Sequence, residues 1–335
     1  MKQSNQAAFF MSSKIALIYM GGTFGCVGEP LAPMPAADFF PQLKEILPVQ
    51  NPIELVQAHE IKDSSACTAR DWLLLIQKIQ QLQAKQFQNF IVIHGTDTMS
   101  YAAAILSRFL HDTCRVIITG SQFPLLNHAA TSLHPSSDAL DNLNHAIQYM
   151  ENVSDGVYLC FNHQIFHART AVKTHRTALN AFCGEAFTNV IKPISSSFVD
   201  ITEQHIERST QLNIANLSLR PIEIKLFNQH LTRFIDNSPH VLILQAYGTG
   251  NLAINADTTD ILKQLRALGC HIVLSSQVMF GELDQRYAIS SWIKASDILI
   301  DDTLSDADLY AKILKMYLQY PSTDQWLQHW YDSSN

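Results

Sequence analysis

The stretch NFIVIHGTDTMSYAAAILSRFL, Asn89 to Leu110, decides how the chain is read. FIVI is a short unbroken apolar run, the pattern of a strand covered on both faces. From Met99 onward, Ala102, Ile105, Leu106, Phe109 and Leu110 share one helical face. Between strand and helix lies HGTDT, with two hydroxyls and a carboxylate. A helix N-cap role accounts for Asp97 or Thr98, but not for the second threonine or for Gly95. A carboxylate here could bind an ammonium group. A threonine hydroxyl could attack a carbonyl or orient a water, given a neighbouring base.

The same alternation runs in both directions. KIALIYM (Lys14 to Met20) is a strand candidate upstream, and RVIIT (Arg115 to Thr119) and GVYLCF (Gly156 to Phe161) follow downstream. Later come HVLILQAY (His240 to Tyr247), HIVLSS (His271 to Ser276) and DILI (Asp297 to Ile300). Thr68 and Asp71 form a capping-box pattern ahead of WLLLIQKIQQLQAK. DTTDILKQLRAL ends at the C′ glycine Gly269, and Ser305 with Asp308 caps DLYAKILKMYLQY, which Pro321 stops. Strands alternating with helices predict an α/β fold with a mostly parallel sheet. From Ile194 to Leu217 the chain turns polar and loses its period. This reads as a connection, so three parts are expected: a domain at 1–200, a linker at 201–218 and a domain at 219–335.

In open α/β sheets ligands bind beyond the carboxyl ends of the strands. Here those ends read GGTFG, HGTDT, GSQFP and GTGN. Gly21 and Gly22 allow a sharp turn and close approach to a ligand. Thr23 then presents either a nucleophile beside an anion-stabilising nest or a hydroxyl that caps a glycine turn. A dinucleotide loop is set aside, because Gly22, Gly25 and Gly28 lack the required spacing. Lys173, in HARTAVKTHRTALNAF, is a candidate base if buried near an aspartate, and otherwise a surface lysine. His163 and His167 have the spacing of a helical metal pair but no third ligand, so no metal is expected. Trp326 and Trp330 share a helical face suited to core or interface packing.

Composition narrows the function further. The 335 residues are 47% hydrophobic, carry a net charge of −7 and have a pI near 6.0, without a basic block. This opposes a nucleic-acid or anionic-membrane surface. Six scattered cysteines without a CxxC predict reduced thiols, neither a disulfide framework nor a zinc site. No secretory leader and no membrane-spanning run are read, so a cytoplasmic protein is expected.

Taken in order, GGTFG, KDSSA, HGTDTMSYAA, TGSQFPL, ARTAVKTHRTALNAF and AYGTGN resemble the asparaginase/glutaminase family. The resemblance runs from about Lys14 to Tyr320 and is greatest to bacterial cytoplasmic type I L-asparaginases. It implies a larger N-terminal α/β domain and a smaller flavodoxin-like C-terminal domain. It also implies active sites shared between subunits of a homodimer or homotetramer. The implied reaction is hydrolysis of L-asparagine to L-aspartate and ammonia without metal or cofactor, with L-glutamine as an alternative substrate.

Residue by residue, Thr23 matches the family's nucleophile. Thr96 matches the second threonine, which forms a triad-like group with Lys173 and Asp97. Asp97 also matches the carboxylate that binds the substrate ammonium. Ser64 matches the hydroxyl holding the substrate carboxylate, with Asp63 and Ser65 flanking it. Gly120 and Ser121 match the backbone that meets the side-chain amide, and Asn251 matches a residue reaching toward the neighbouring subunit's site.

Four positions depart from the family pattern. Pro30 or Leu31 stands where the family has a tyrosine, in the loop CVGEPLAPMP. Slow turnover is therefore expected, and a degenerate asparaginase that senses an amino acid is an alternative. Glu29 is a candidate replacement for the tyrosine. Ala66 stands where family members often carry aspartate. Gln245 and Val278 occupy the places of an arginine and a cysteine used for allosteric asparagine binding, so that regulation is expected to be absent. A tRNA-dependent amidotransferase subunit would need an extra N-terminal domain, for which the thirteen residues before the first strand leave no room.

Overall fold

The computed structural model describes residues 14–47, 52–191, 199–281, 283 and 297–332. The strands are β1 (Ile15–Gly21), β2 (Cys26–Val27), β3 (Ala32–Pro33), β4 (Ile53–Lys62), β5 (Asn89–Ile93), β6 (Arg115–Thr119) and β7 (Gly156–Phe161). After them come β8 (Gln164–His167), β9 (Val172–Lys173), β10 (Phe182–Cys183), β11 (Ile214–Ser218), β12 (Val241–Ala246), β13 (His271–Ser276) and β14 (Leu299–Ile300). The helices are α1 (Ala36–Ile46), α2 (Ala69–Gln83), α3 (Met99–Leu110), α4 (Ala139–Tyr149) and α5 (Glu203–Ser209). They continue with α6 (Ile224–Asp236), α7 (Ala256–Ala267), α8 (Asp306–Gln319) and α9 (Thr323–His329).

Unbroken apolar strands form because both sheet faces are covered. In β1, Ala16, Ile18 and Met20 enter a core with α2 and α3, while Ile15, Leu17 and Tyr19 enter a second core with α1 and α4. The first sheet runs β4-β1-β5-β6-β7-β8, parallel except for the β7–β8 hairpin. From β1 the chain passes through α1 to β4 on one side, then through α2 to β5 on the other. The strand order therefore reverses between β1 and β5, and this is where a parallel sheet opens a crevice for a ligand. GGT and HGTDT follow those two strands.

The second sheet, β11-β12-β13-β14, is parallel throughout. Leu242, Leu244, Ile272 and Leu274 pack in a core with α6 and α7, while Val241, Ile243 and Val273 join the core that includes α8. Residues of α8 are buried on every side, as a helix enclosed between layers should be. Trp326 and Trp330 are core residues. Their indole N–H groups donate to the Tyr320 carbonyl at 3.0 Å and the Ile300 carbonyl at 2.8 Å.

The expected linker at 201–218 is ordered. Thr202 accepts from His205 N and caps α5, and β11 pairs in parallel with β12. Its polarity reflects position: β11 is an edge strand whose residues are half-buried or exposed. Likewise, β4 is a long edge strand with mostly half-exposed side chains, and α1 contains Pro41, which interrupts a helical pattern. His163 and His167 sit at a hairpin rather than on a helix, so their spacing does not align them. His163 bonds His145, and His167 bonds the Asn189 carbonyl. Among the described residues no group of three or more His, Cys, Asp or Glu could hold a metal, and no helix is long and apolar enough to cross a membrane.

Three buried histidines predict the acid response. Burial lowers the His94 pKa, pushes His111 down to about 4 and His271 to about 3. Unfolded histidine titrates near 6.5, so on acidification the unfolded chain binds these protons first. Stability held by the neutral rings is complete above about pH 6.5 and falls as pH drops toward 4, on the order of 3 kcal/mol for His111. His271 stacks on Trp326 with ring centroids 3.9 Å apart, and its Nδ1 is buried without a partner. His271→Phe keeps the stack and removes the titrating group. Urea midpoints measured at pH 7.5, 6 and 5 should decline less steeply for the variant; parallel declines would contradict this assignment.

Candidate active site

The crevice between β1 and β5 is built from backbone. Gly21 and Gly22 have φ of +100° and +77°, conformations that suit glycine. A Cβ on Gly22 would overlap the backbone of Gly95, and one on Gly95 would overlap the Ser64 side chain. Three turns therefore meet closely: Gly22, just ahead of the 3₁₀ turn Thr23–Gly25, packs on Gly95 of the HGTDT segment backbone to backbone, and the Ser64 side chain of the 3₁₀ turn Ser64–Ala66 packs on Gly95. Ser64 ties two of them together. Its Oγ accepts from Asp97 N at 3.3 Å, and its carbonyl accepts from Thr98 Oγ1 at 2.7 Å. The Thr98 side chain thus clamps a neighbouring turn and makes no cap bond to α3.

His94, passed over in the sequence reading, braces this arrangement from below. Its Nε2 accepts from the Trp72 indole at 3.2 Å, and its Nδ1 lies 2.7 Å from the Gly95 carbonyl. The first contact leaves the proton on Nδ1, which donates to Gly95. Burial keeps the ring neutral, so both bonds hold at neutral pH. The clue in the sequence was a histidine at the end of an otherwise apolar strand.

Lys173 arrives from the β9–β10 ribbon, opposite Phe182. Its Nζ donates to Thr96 Oγ1 at 2.9 Å and to Asp97 Oδ1 at 2.8 Å. Thr96 is 6% exposed, while the Lys173 and Asp97 side chains are 19% and 61% exposed. An ion pair this open to water adds less than about 1 kcal/mol to stability. Its importance lies in geometry: an amine, a hydroxyl and a carboxylate meet at the mouth of the crevice beside the start of α3, where the helix dipole favours developing negative charge.

The other candidates are distributed around this group. Asp63 accepts from Ser65 N at 2.8 Å and from Ser65 Oγ at 2.6 Å, so these two residues satisfy each other. Ser121 is buried after β6 and donates to the Phe123 carbonyl at 2.6 Å. Neighbouring Gln122 donates to the Ala178 carbonyl at 2.8 Å, linking that turn to the segment after Lys173. Asn251 lies in the turn after β12, its Nδ2 3.4 Å from Thr249 Oγ1, and among the described residues no side-chain hydrogen bond joins it to the cluster. Thr23 is half-buried, and its hydroxyl has no hydrogen-bond partner among the described residues. In the loop beyond it, Glu29, Pro30 and Leu31 are all exposed. A cavity of about 740 Å³ is lined by Thr98 together with Cys67, Tyr101, Ile243 and Asp306.

Comparison with known proteins identifies the fold and the family. The asparaginase N-terminal family model matches residues 14–206. The L-asparaginase 1 of Escherichia coli is 24% identical over 314 residues, covering 87% of this chain and 89% of its own. The L-asparaginase of Dirofilaria immitis is 28% identical over 246 residues, and the match spans 40% of that longer protein. Among solved structures, the thermostable L-asparaginase from Thermococcus kodakarensis superposes with a TM-score of 0.76 at 20% identity. That match covers 94% of this chain and 96% of the other. The probable cytoplasmic L-asparaginase from Campylobacter jejuni gives 0.72 at 21% identity, covering 96% and 99%. These structural matches extend over both sheets and establish a two-domain α/β fold of the asparaginase type. With the family model spanning more than half of its length, the chain belongs to the asparaginase family.

Proposed function

We propose that the protein hydrolyses L-asparagine to L-aspartate and ammonia through a threonine nucleophile. The observation that carries this reading is the contact of Lys173 Nζ with both Thr96 Oγ1 and Asp97 Oδ1. In this scheme Thr23 Oγ1 attacks the side-chain amide carbon and its proton passes to the leaving nitrogen, so that ammonia departs. A water then attacks the resulting ester, and the proton returns to Thr23 as aspartate leaves. Lys173 and Thr96 relay protons, and amides at the neighbouring turns and the start of α3 face the oxyanion. The exposed carboxylate of Asp97 receives the substrate ammonium, and Ser64, with Asp63 and Ser65 beside it, borders the substrate carboxylate.

The site is open on the Asp97 side, and Val278, Met279 and Phe280 form an exposed apolar run after β13. Both features suit a homodimer or homotetramer in which a second subunit, through residues such as Asn251, closes the site. A cytoplasmic enzyme fits the free cysteines, Cys26 to Cys270.

A second reading is favoured by one observation: the Thr23 hydroxyl has no partner among the described residues, and its loop carries Pro30 and Leu31 rather than a phenol. A protein with that loop could bind an amino acid without turning it over. Ammonia release from L-asparagine and L-glutamine, measured beside calorimetric binding, separates the two. The hydrolase reading expects release by the wild type and a loss of at least ~10²-fold in Thr23→Ala. Asparagine binding without ammonia release would favour the sensor.

A further inference from the structure

Behind the crevice lies a fully buried ionic cluster that the proposed chemistry does not use. Asp308, in the first turn of α8, accepts from Arg108 Nε at 2.6 Å and from Arg169 Nε at 3.0 Å through Oδ1. Its Oδ2 lies 3.2 Å from Arg169 Nε and accepts from Leu304 N at 3.1 Å. All three charged side chains are shielded from water. The same helical turn also grips the Arg169 backbone. Ser305 Oγ donates to the Arg169 carbonyl at 2.8 Å and accepts from Asp308 N at 3.1 Å.

The two arginines belong to the segments that carry the site. Arg169 lies in the 3₁₀ turn Ala168–Thr170, immediately ahead of the β9 strand that bears Lys173. Arg108 lies on α3, the helix that starts just after Thr96 and Asp97. One carboxylate from the C-terminal half thus joins the segment supplying the amine to the segment supplying the hydroxyl. Further along α8, Lys315 Nζ donates to the Arg108 carbonyl at 3.2 Å, so the same helix holds α3 a second time. Burying charge is a poor way to gain stability, since apolar residues of the same volume often do as well. A buried ionic network does restrict its members to one geometry.

We propose that Asp308 is a positioning residue that sets the approach of Lys173 to Thr96 from the other half of the chain. The kinetic consequence rests on the hydrolase reading, but the structural consequence does not. The test compares full-length wild type with Asp308→Asn, which keeps shape and removes charge. Two quantities are read: kcat and KM for L-asparagine, and the acetylation rate of Lys173 by an N-hydroxysuccinimide ester, followed by mass spectrometry against exposed Lys225. The expected result is a ~10- to 100-fold fall in kcat with little change in KM, together with faster acetylation of Lys173.

Leu314→Ala, a core truncation on the same helix, controls for stability alone and should lower the melting temperature without either change. If Asp308→Asn does not fold, Ser305→Ala removes only the hydroxyl clamp and should give smaller changes in the same directions, with Ser305→Thr restoring both. Wild-type acetylation and wild-type kcat in the folded variant would overturn the proposal. A wild type that releases no ammonia would instead sink the hydrolase reading, leaving the acetylation comparison to decide the role of Asp308.

Discussion

Thr96→Val should slow ammonia release from L-asparagine by about 10²–10³-fold while the protein stays folded. Valine nearly matches threonine in shape and removes only Oγ1, the atom 2.9 Å from Lys173 Nζ. Lys173 keeps its bond to Asp97, so the amine stays near its place but loses the hydroxyl that the proposed relay requires. The stability change should be about 1 kcal/mol, the scale of one hydrogen bond in a partly exposed pair. KM should move far less than kcat, because in the proposed scheme Asp97 receives the substrate ammonium and Thr96 serves the proton relay. Steady-state kinetics with a urea titration of the same preparation check all three statements. A variant with wild-type kcat would remove Thr96 from the mechanism.

Gly22→Ala should cost nearly as much activity and, unlike Thr96→Val, should also cost stability. Gly22 sits at φ +77°, and its missing side chain is the space in which Gly95 packs. A methyl group there must push the turn bearing Thr23 away from the turn bearing Thr96. A shift of about 1 Å in reacting groups can cost ~10²-fold in rate, and the left-handed backbone strain adds about 1–3 kcal/mol. Gly269 supplies the control: its φ is +88° at the end of α7, with open space where a Cβ would go. Gly269→Ala should show the strain cost alone, at wild-type kcat. If the two variants behave alike in both measurements, the close contact of the turns has no bearing on activity.

The difference between what could and could not be read from the sequence is physical. Strands buried on both faces are written locally as apolar runs, so β1, β5, β6, β7, β12 and β13 stood out. The Thr68–Asp71 capping box and the Ser305 cap were equally local. The edge strands β4 and β11 were not legible, because a half-solvated strand mixes polar and apolar residues. HGTDT could be singled out because its side chains exceeded what capping requires. Even so, Thr98 was open to reading as a cap, and its hydroxyl proves to bond the Ser64 carbonyl from 34 positions upstream. The Arg108–Asp308–Arg169 cluster had no signature at all. The two arginines are 139 and 200 residues from their common partner and each resembles an ordinary surface charge, while Asp308 reads only as part of a helix cap.

The proposed hydrolysis requires Lys173 and Thr96 to act as one unit, and a double-mutant cycle in kcat tests this most directly. Thr96→Val, Lys173→Met and the double variant are assayed for ammonia release from L-asparagine. Groups that work through each other lose their effect together, so the double variant should be no slower than the slower single variant. If the two losses instead multiply, the 2.9 Å contact is incidental to the chemistry and the proposed relay is wrong.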